Sequence, residues 1–100
     1  MILVLGSATT QPGRFDEALA LSQEHVERSR REPGCIAHAV HIDAENPLRL
    51  VFAEKWSDMA ALQAHFRAPE SRAFGKALAA LSSQQPDIEL YQAAALPLKP

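Results

Sequence analysis

Apolar and polar positions change period several times along this chain, and each change marks an element. Residues 2–9 form an apolar run from Ile2-Leu3-Val4-Leu5 to Ala8-Thr9, which predicts a first strand closed by Pro12-Gly13. From roughly 14 to 32 the spacing becomes helical: Phe15, Leu19, Ser22, Val26 and Ser29 share one stripe, with Ala18, Leu21 and His25 along its flank. Pro33 disfavours a helical Glu32, and Gly34 can take the left-handed conformation that closes a helix. Alternation returns at Cys35–Asp43, which predicts Ile36, His38, Val40 and Ile42 on one face and Cys35, Ala37, Ala39 and His41 on the other. Turn chemistry at Ala44-Glu45-Asn46-Pro47 then joins this strand to a third, Leu48–Trp56, as a hairpin. Ser57 or Asp58 can cap a helix through about Arg67, and a further helical stretch after Pro69 carries Phe74, Leu78 and Leu81. A last strand is expected from about Asp87 to Ala94.

The order is βαββαβ, which predicts an α+β, ferredoxin-like subunit: a four-stranded antiparallel sheet with the helices on one face. One domain over 1–100 is expected, with a core at 2–95 and a Pro-rich tail at 96–100. Strand one is apolar on both sides, and strands two and three offer Cys35, Ala37, Ala39, Val51 and Ala53 to the face the helices leave bare. A sheet apolar on both faces must be covered on both, and a second copy about a two-fold axis does this most simply. The expectation is a homodimer through facing sheets.

Composition narrows the function. Apolar residues make up 47% of the chain and the formal net charge is −2, a folding composition without the basic stripe that nucleic acid requires. Arg28, Arg30 and Arg31 read as the solvated end of a helix. No stretch approaches the ~20 apolar residues of a membrane span, so a soluble cytoplasmic protein is expected, with no nucleic-acid or membrane partner. Cys35 is the only cysteine, which excludes an intrachain disulfide and a thiolate zinc site and reads as a small apolar residue. No HExxH, no glycine-rich phosphate loop and no serine elbow is present, so no metal and no nucleotide or flavin cofactor is expected.

One strand residue is out of keeping. Leu50, Phe52, Glu54 and Trp56 share a face, and a carboxylate among three bulky apolar groups is either paired or has its pKa raised by desolvation. It can be a structural ion-pair partner, a proton acceptor, or the group that orients a histidine. His65 is the candidate histidine, about two and a half turns along the helix that follows, and can line one cleft with Glu54 and Trp56. His38 falls on the same face of strand two and His25 flanks the first helix, so both can converge on that cavity. Phe66, Phe74 and Trp56 would suit a flat aromatic ligand, with Phe52 on the same sheet face.

The fragments REPGCIAHAV, RLVFAEKW and ALQAHFRAPESRAF, in this order, resemble the antibiotic biosynthesis monooxygenase family of dimeric α+β barrel proteins. The resemblance implies a ferredoxin-like subunit, a dimer of facing sheets and a pocket between helices and sheet. It is nearest the quinol monooxygenase-like branch, which implies oxygenation of a quinol, anthrone or similar small aromatic by O₂ without metal or flavin. On that pattern Glu54, Trp56 and His65 are implied as catalytic, with the indole N–H placed to donate to a phenolate. Departures are visible: Glu70 stands where many relatives have a second histidine, and His38 where many have tyrosine. The haem-degrading branch places an asparagine, a tryptophan and a ligating histidine near Gly6, His65 and Gly75, so haem degradation is not expected. A proton-shuttling isomerase is the alternative enzyme, with Arg67 and Arg72 as the nearby cations for a phosphorylated substrate; a non-catalytic dimeric ligand-binding module is the alternative outside enzymes.

Overall fold

A computed structural model describes residues 1–99; of the tail expected at 96–100, Pro100 lies outside the described residues. The elements are β1 (Ile2–Thr9), α1 (Phe15–Ser29), β2 (Cys35–Ile42), β3 (Arg49–Trp56), α2 (Met59–Arg67), α3 (Pro69–Leu81) and β4 (Asp87–Gln92). The strands form one antiparallel sheet in the order β2-β3-β1-β4, which is the ferredoxin-like arrangement.

The helix ends follow local chemistry. Asp58 accepts from the Ala61 amide at 2.8 Å and so caps α2, while Pro69 opens α3 where its missing N–H is harmless. Helix α1 stops at Ser29, short of the expected residue 32. Its last turn tightens instead, with the Arg31 and Glu32 amides donating to Arg28 and Ser29 carbonyls three residues back. Gly34 then sits at φ +84°, and a Cβ there would meet the Cβ of Ala61 at 2.5 Å. Only glycine lets this turn lie flat against α2.

Register fixes the faces. Val4 pairs with Glu54 and Leu90, and Glu54 pairs with His38, so these side chains share the helix-covered face. The expected alternation at the start of β2 is corrected. A bulge between Cys35 and Ala37 shifts the register, so that Cys35 packs beside Trp56 under the helices and Ile36 is left 57% exposed. Strand β4 ends at Gln92, two residues short of expectation, and all its residues are exposed.

Two apolar clusters fill the space between sheet and helices. Ala8, Ala18, Leu50, Phe52, Leu78 and Leu81 make one; Ile2, Val4, Trp56 and Leu62 make the other. The face away from the helices carries Leu3, Leu5, Ala39, Val51, Ala53 and Tyr91, of which Leu5 is 40% and Tyr91 45% exposed. Among the described residues, no helix is long and apolar enough to cross a membrane.

Candidate functional site

Polar groups gather beside these clusters on the helix-covered face. His25, His38, Glu54 and His65 are all buried, from α1, β2, β3 and α2 respectively. His25 occupies the inward stripe of α1 and stacks on Phe74 of α3, ring centres 3.9 Å apart and planes 7° from parallel. His65 is one turn after Leu62 on α2, and its ring lies 4.6 Å from that of Trp56. The three imidazole centres are 5.2–5.6 Å apart.

The charge question posed by Glu54 has a local answer. No arginine reaches it: the indole N–H of Trp56, two residues on along the same strand face, donates to its Oε1 at 2.9 Å, and His38 Nε2 stands 3.2 Å from the same oxygen. The His38 contact lacks hydrogen-bond geometry, and neither ring nitrogen of His38 has a hydrogen-bond partner. Burial works to raise the Glu54 carboxyl, and the nearby His38, the Trp56 N–H and His65 outweigh it, so the group is held below the ordinary 4.5. Burial, then the charges of His38, His65 and Arg28, push His25 from 6.5 down to about 3, against the pull of Glu54. Burial, Glu54 and Glu32 raise the Cys35 thiol, which fits an unreactive side chain.

A cavity of about 230 Å³ opens beside this group. Its walls include His25, Phe52, Glu54, His65, Phe66 and Phe74, with Gly6, Gly75 and Ile88 also contributing. Six of the eight residues expected at the site therefore face it. The other two do not. Trp56 is fully buried and donates its N–H to Glu54, and His38, its side chain wholly buried, contacts Glu54 off the cavity wall.

Three further residues complete the arrangement. Glu32, in the turn after α1, contacts His65 Nδ1 at 2.7 Å across a sequence separation of 33, and the Ser71 hydroxyl lies 3.3 Å from the same nitrogen. Arg28 Nη2 donates to His25 Nδ1 at 2.7 Å and to the Glu70 carbonyl at 3.3 Å. The His25–Arg28 spacing of three on a helix was a readable signal; nothing in the sequence pairs Glu32 with His65. One nitrogen from each of His25, His38 and His65 lies within 4.8 Å of the other two, a grouping that could hold a metal ion. Arg28 argues against it, because a metal-bound imidazole donates its second N–H to an acceptor and a guanidinium accepts nothing.

The fold and site thus define a small α+β protein with an aromatic-walled cavity bearing buried acid and imidazole groups. The sequence pattern of the antibiotic biosynthesis monooxygenase family matches residues 1–77, and the chain belongs to that family. It is similar to a crystal structure of an antibiotic biosynthesis monooxygenase, with 30% identity and a TM-score of 0.87 over 95% of this chain and 100% of that one. A conserved protein from Methanosarcina mazei is 26% identical, with a TM-score of 0.88 over 93% of this chain and 92% of its own. An uncharacterised protein of Synechocystis is 34% identical over 93% of this chain, which spans 63% of that relative's length.

Proposed function

We propose that the protein is a cofactor-independent monooxygenase that oxygenates an electron-rich aromatic with O₂. The observation that carries the reading is a buried carboxylate and a buried imidazole, Glu54 and His65, on the wall of a cavity otherwise built from Phe52, Phe66 and Phe74. Family membership supports it. A base takes the phenolic proton, the anion passes an electron to O₂, and the radical pair joins at a ring carbon that bears hydrogen; the base returns its proton to the peroxide, and loss of water with that carbon's hydrogen leaves the carbonyl. The substrate supplies every electron, one oxygen enters the product and the other leaves as water. An apolar cavity keeps water from the intermediates. Trp56 acts indirectly here, by holding Glu54 ionised and in place.

At about 230 Å³ the cavity is smaller than the ~300 Å³ at which drug-sized pockets begin, which favours a one-ring quinol over a three-ring anthrone. Among the described residues no Lys or Arg lines it, which leaves a phosphorylated isomerase substrate without an anchor. The assembly we propose is a homodimer through facing sheets, supported by the exposed Leu5 and Tyr91 on the open face.

Oxygen uptake with a panel of hydroquinones tests the reading. Turnover that falls at least a hundredfold in His65→Ala and Glu54→Gln is expected. Turnover surviving both substitutions would remove the mechanism, and binding without turnover in the parent protein would make it a ligand-binding module.

A further inference from the structure

We propose that His25 and His65 are held in opposite tautomers and together form a socket for one ionisable hydroxyl, with Arg28 and Glu32 as the positioning residues. The proposal rests on the oxygenase reading for its substrate class, and it adds which group takes the proton and which holds the phenolate oxygen.

The argument is one of donors and acceptors. A guanidinium has only N–H groups to offer, so the 2.7 Å contact from Arg28 makes Nδ1 of His25 an acceptor. In a neutral imidazole the proton must then sit on Nε2. A carboxylate only accepts, so the 2.7 Å contact to Glu32 makes Nδ1 of His65 a donor, and in a neutral ring this leaves the lone pair on Nε2. Both rings line the cavity, while Arg28 and Glu32 do not, so the nitrogen of each ring left to serve the cavity is Nε2. One wall therefore presents an N–H and a lone pair side by side, with one nitrogen of each ring within 4.8 Å of the other. A hydroxyl between the two rings, whose centres lie 5.2 Å apart, can accept from the one and donate to the other.

The consequence for chemistry is directional. The phenolic proton passes to His65 Nε2, and the imidazolium that results is stabilised by Glu32. The phenolate oxygen keeps the His25 N–H as its hydrogen-bond donor, the part first expected of Trp56. Burial first, and then the Arg28 charge among its neighbours, holds His25 neutral, which preserves its single cavity-facing donor. Its stacking on Phe74 fixes the direction in which that donor points. A phenol or enol satisfies both nitrogens. A ligand with only acceptors leaves the His65 lone pair unpaired, and an aliphatic alcohol binds without ionising.

Long-range ¹H–¹⁵N NMR of the parent protein at neutral pH reads the tautomers directly. His65 should be protonated at Nδ1 and His25 at Nε2, and p-nitrophenol should bind with the absorption of its phenolate. Arg28→Met and Glu32→Leu should each weaken that binding about tenfold, the size of one charge-assisted hydrogen bond, with partial recovery in Glu32→Gln. The same tautomer on both rings would overturn the proposal. So would stoichiometric binding of Zn²⁺ through His25, which needs the lone pair that Arg28 denies to Nε2. The parent spectrum decides even if a variant fails to fold. Absence of oxygen uptake with opposite tautomers and phenolate binding intact would sink the oxygenase reading alone.

Discussion

The interior has two regions under the same helices, and they are built on different terms. Around Leu50 the sheet meets α1 and α3 through Ala8, Ala18, Leu78 and Leu81, and volume is all that must be matched. Around His65, buried side chains carry protons and charge, and each needs a partner: Glu54 takes the Trp56 N–H, His65 takes Glu32, His25 takes Arg28. The second region is not fully satisfied. Buried atoms of Arg28 and His38 lack hydrogen-bond partners, an outlay in stability that an apolar filling would avoid. A sequence selected for stability alone would extend the Leu50 packing through the imidazoles; an open, aromatic-walled hollow carrying His25, Glu54 and His65 beside a dense cluster is what supports the proposed function.

The contrast is sharpest in a pair of substitutions. Leu50→Ala should destabilise the protein by about 2–5 kcal/mol in urea unfolding, because a fully buried side chain leaves a cavity among rigid neighbours. The variant, while folded, should still bind p-nitrophenol. His65→Leu should do the reverse: turnover abolished and stability changed by less than about 1 kcal/mol, since an apolar side chain of similar volume replaces a buried polar one and Glu32 can turn to water. Equal stability losses in the two variants would erase the distinction between the regions.

Gly34 links structure to site. Gly34→Ala places a methyl group against Ala61 and strains a positive φ, and should cost about 1–3 kcal/mol. The strain falls on the turn that carries Glu32, so ligand affinity should drop along with the melting temperature. Loss of stability with unchanged affinity would show that the turn and the site are independent.

Acid should act on the polar region and spare the Leu50 packing. His25 has its pKa depressed in the folded state, so between 6.5 and about 3 the unfolded chain binds the extra proton and stability rises with pH. Glu54 is depressed as well, and its contribution is present above the ordinary carboxylate value and lost as pH falls through the folded one. The melting temperature should therefore decline as pH drops below about 6.5. His25→Phe should flatten the upper part of that decline, whereas Leu50→Ala should shift the whole curve without altering its shape.

Much of this was legible beforehand because period and punctuation are local. The strand of β3, the Asp58 cap, Pro69 at the start of α3 and the inward stripe of α1 are each written in a few adjacent residues. Glu54 was legible as an anomaly for the same reason. What escaped were features decided by contacts distant in sequence or by one extra residue. The bulge after Cys35 inverts the expected facing of Ile36, and alternation alone cannot reveal it. The tightened end of α1 places Glu32 on His65 only once α2 is in position. Trp56 and Glu54 share a strand face by spacing, but whether the indole serves Glu54 or the cavity depends on a side-chain torsion.

The smallest test of the contrast lies on the cavity's rim. Gly75 lies inside α3, where glycine is a poor helix former, and a Cβ there would meet nothing within 4 Å. Gly75→Ala should accordingly stabilise the fold by about 1 kcal/mol, the propensity gain alone. Yet Gly75 also lines the cavity, so the added methyl group should raise the Kd of p-nitrophenol modestly, in the opposite sense to the stability gain. A larger residue at the same place, Gly75→Leu, should widen that divergence by filling the entrance. If both variants gained stability with affinity untouched, ligands would have to enter by another route, and the hollow beside His25 and His65 would no longer be the place where the two regions of the interior part company.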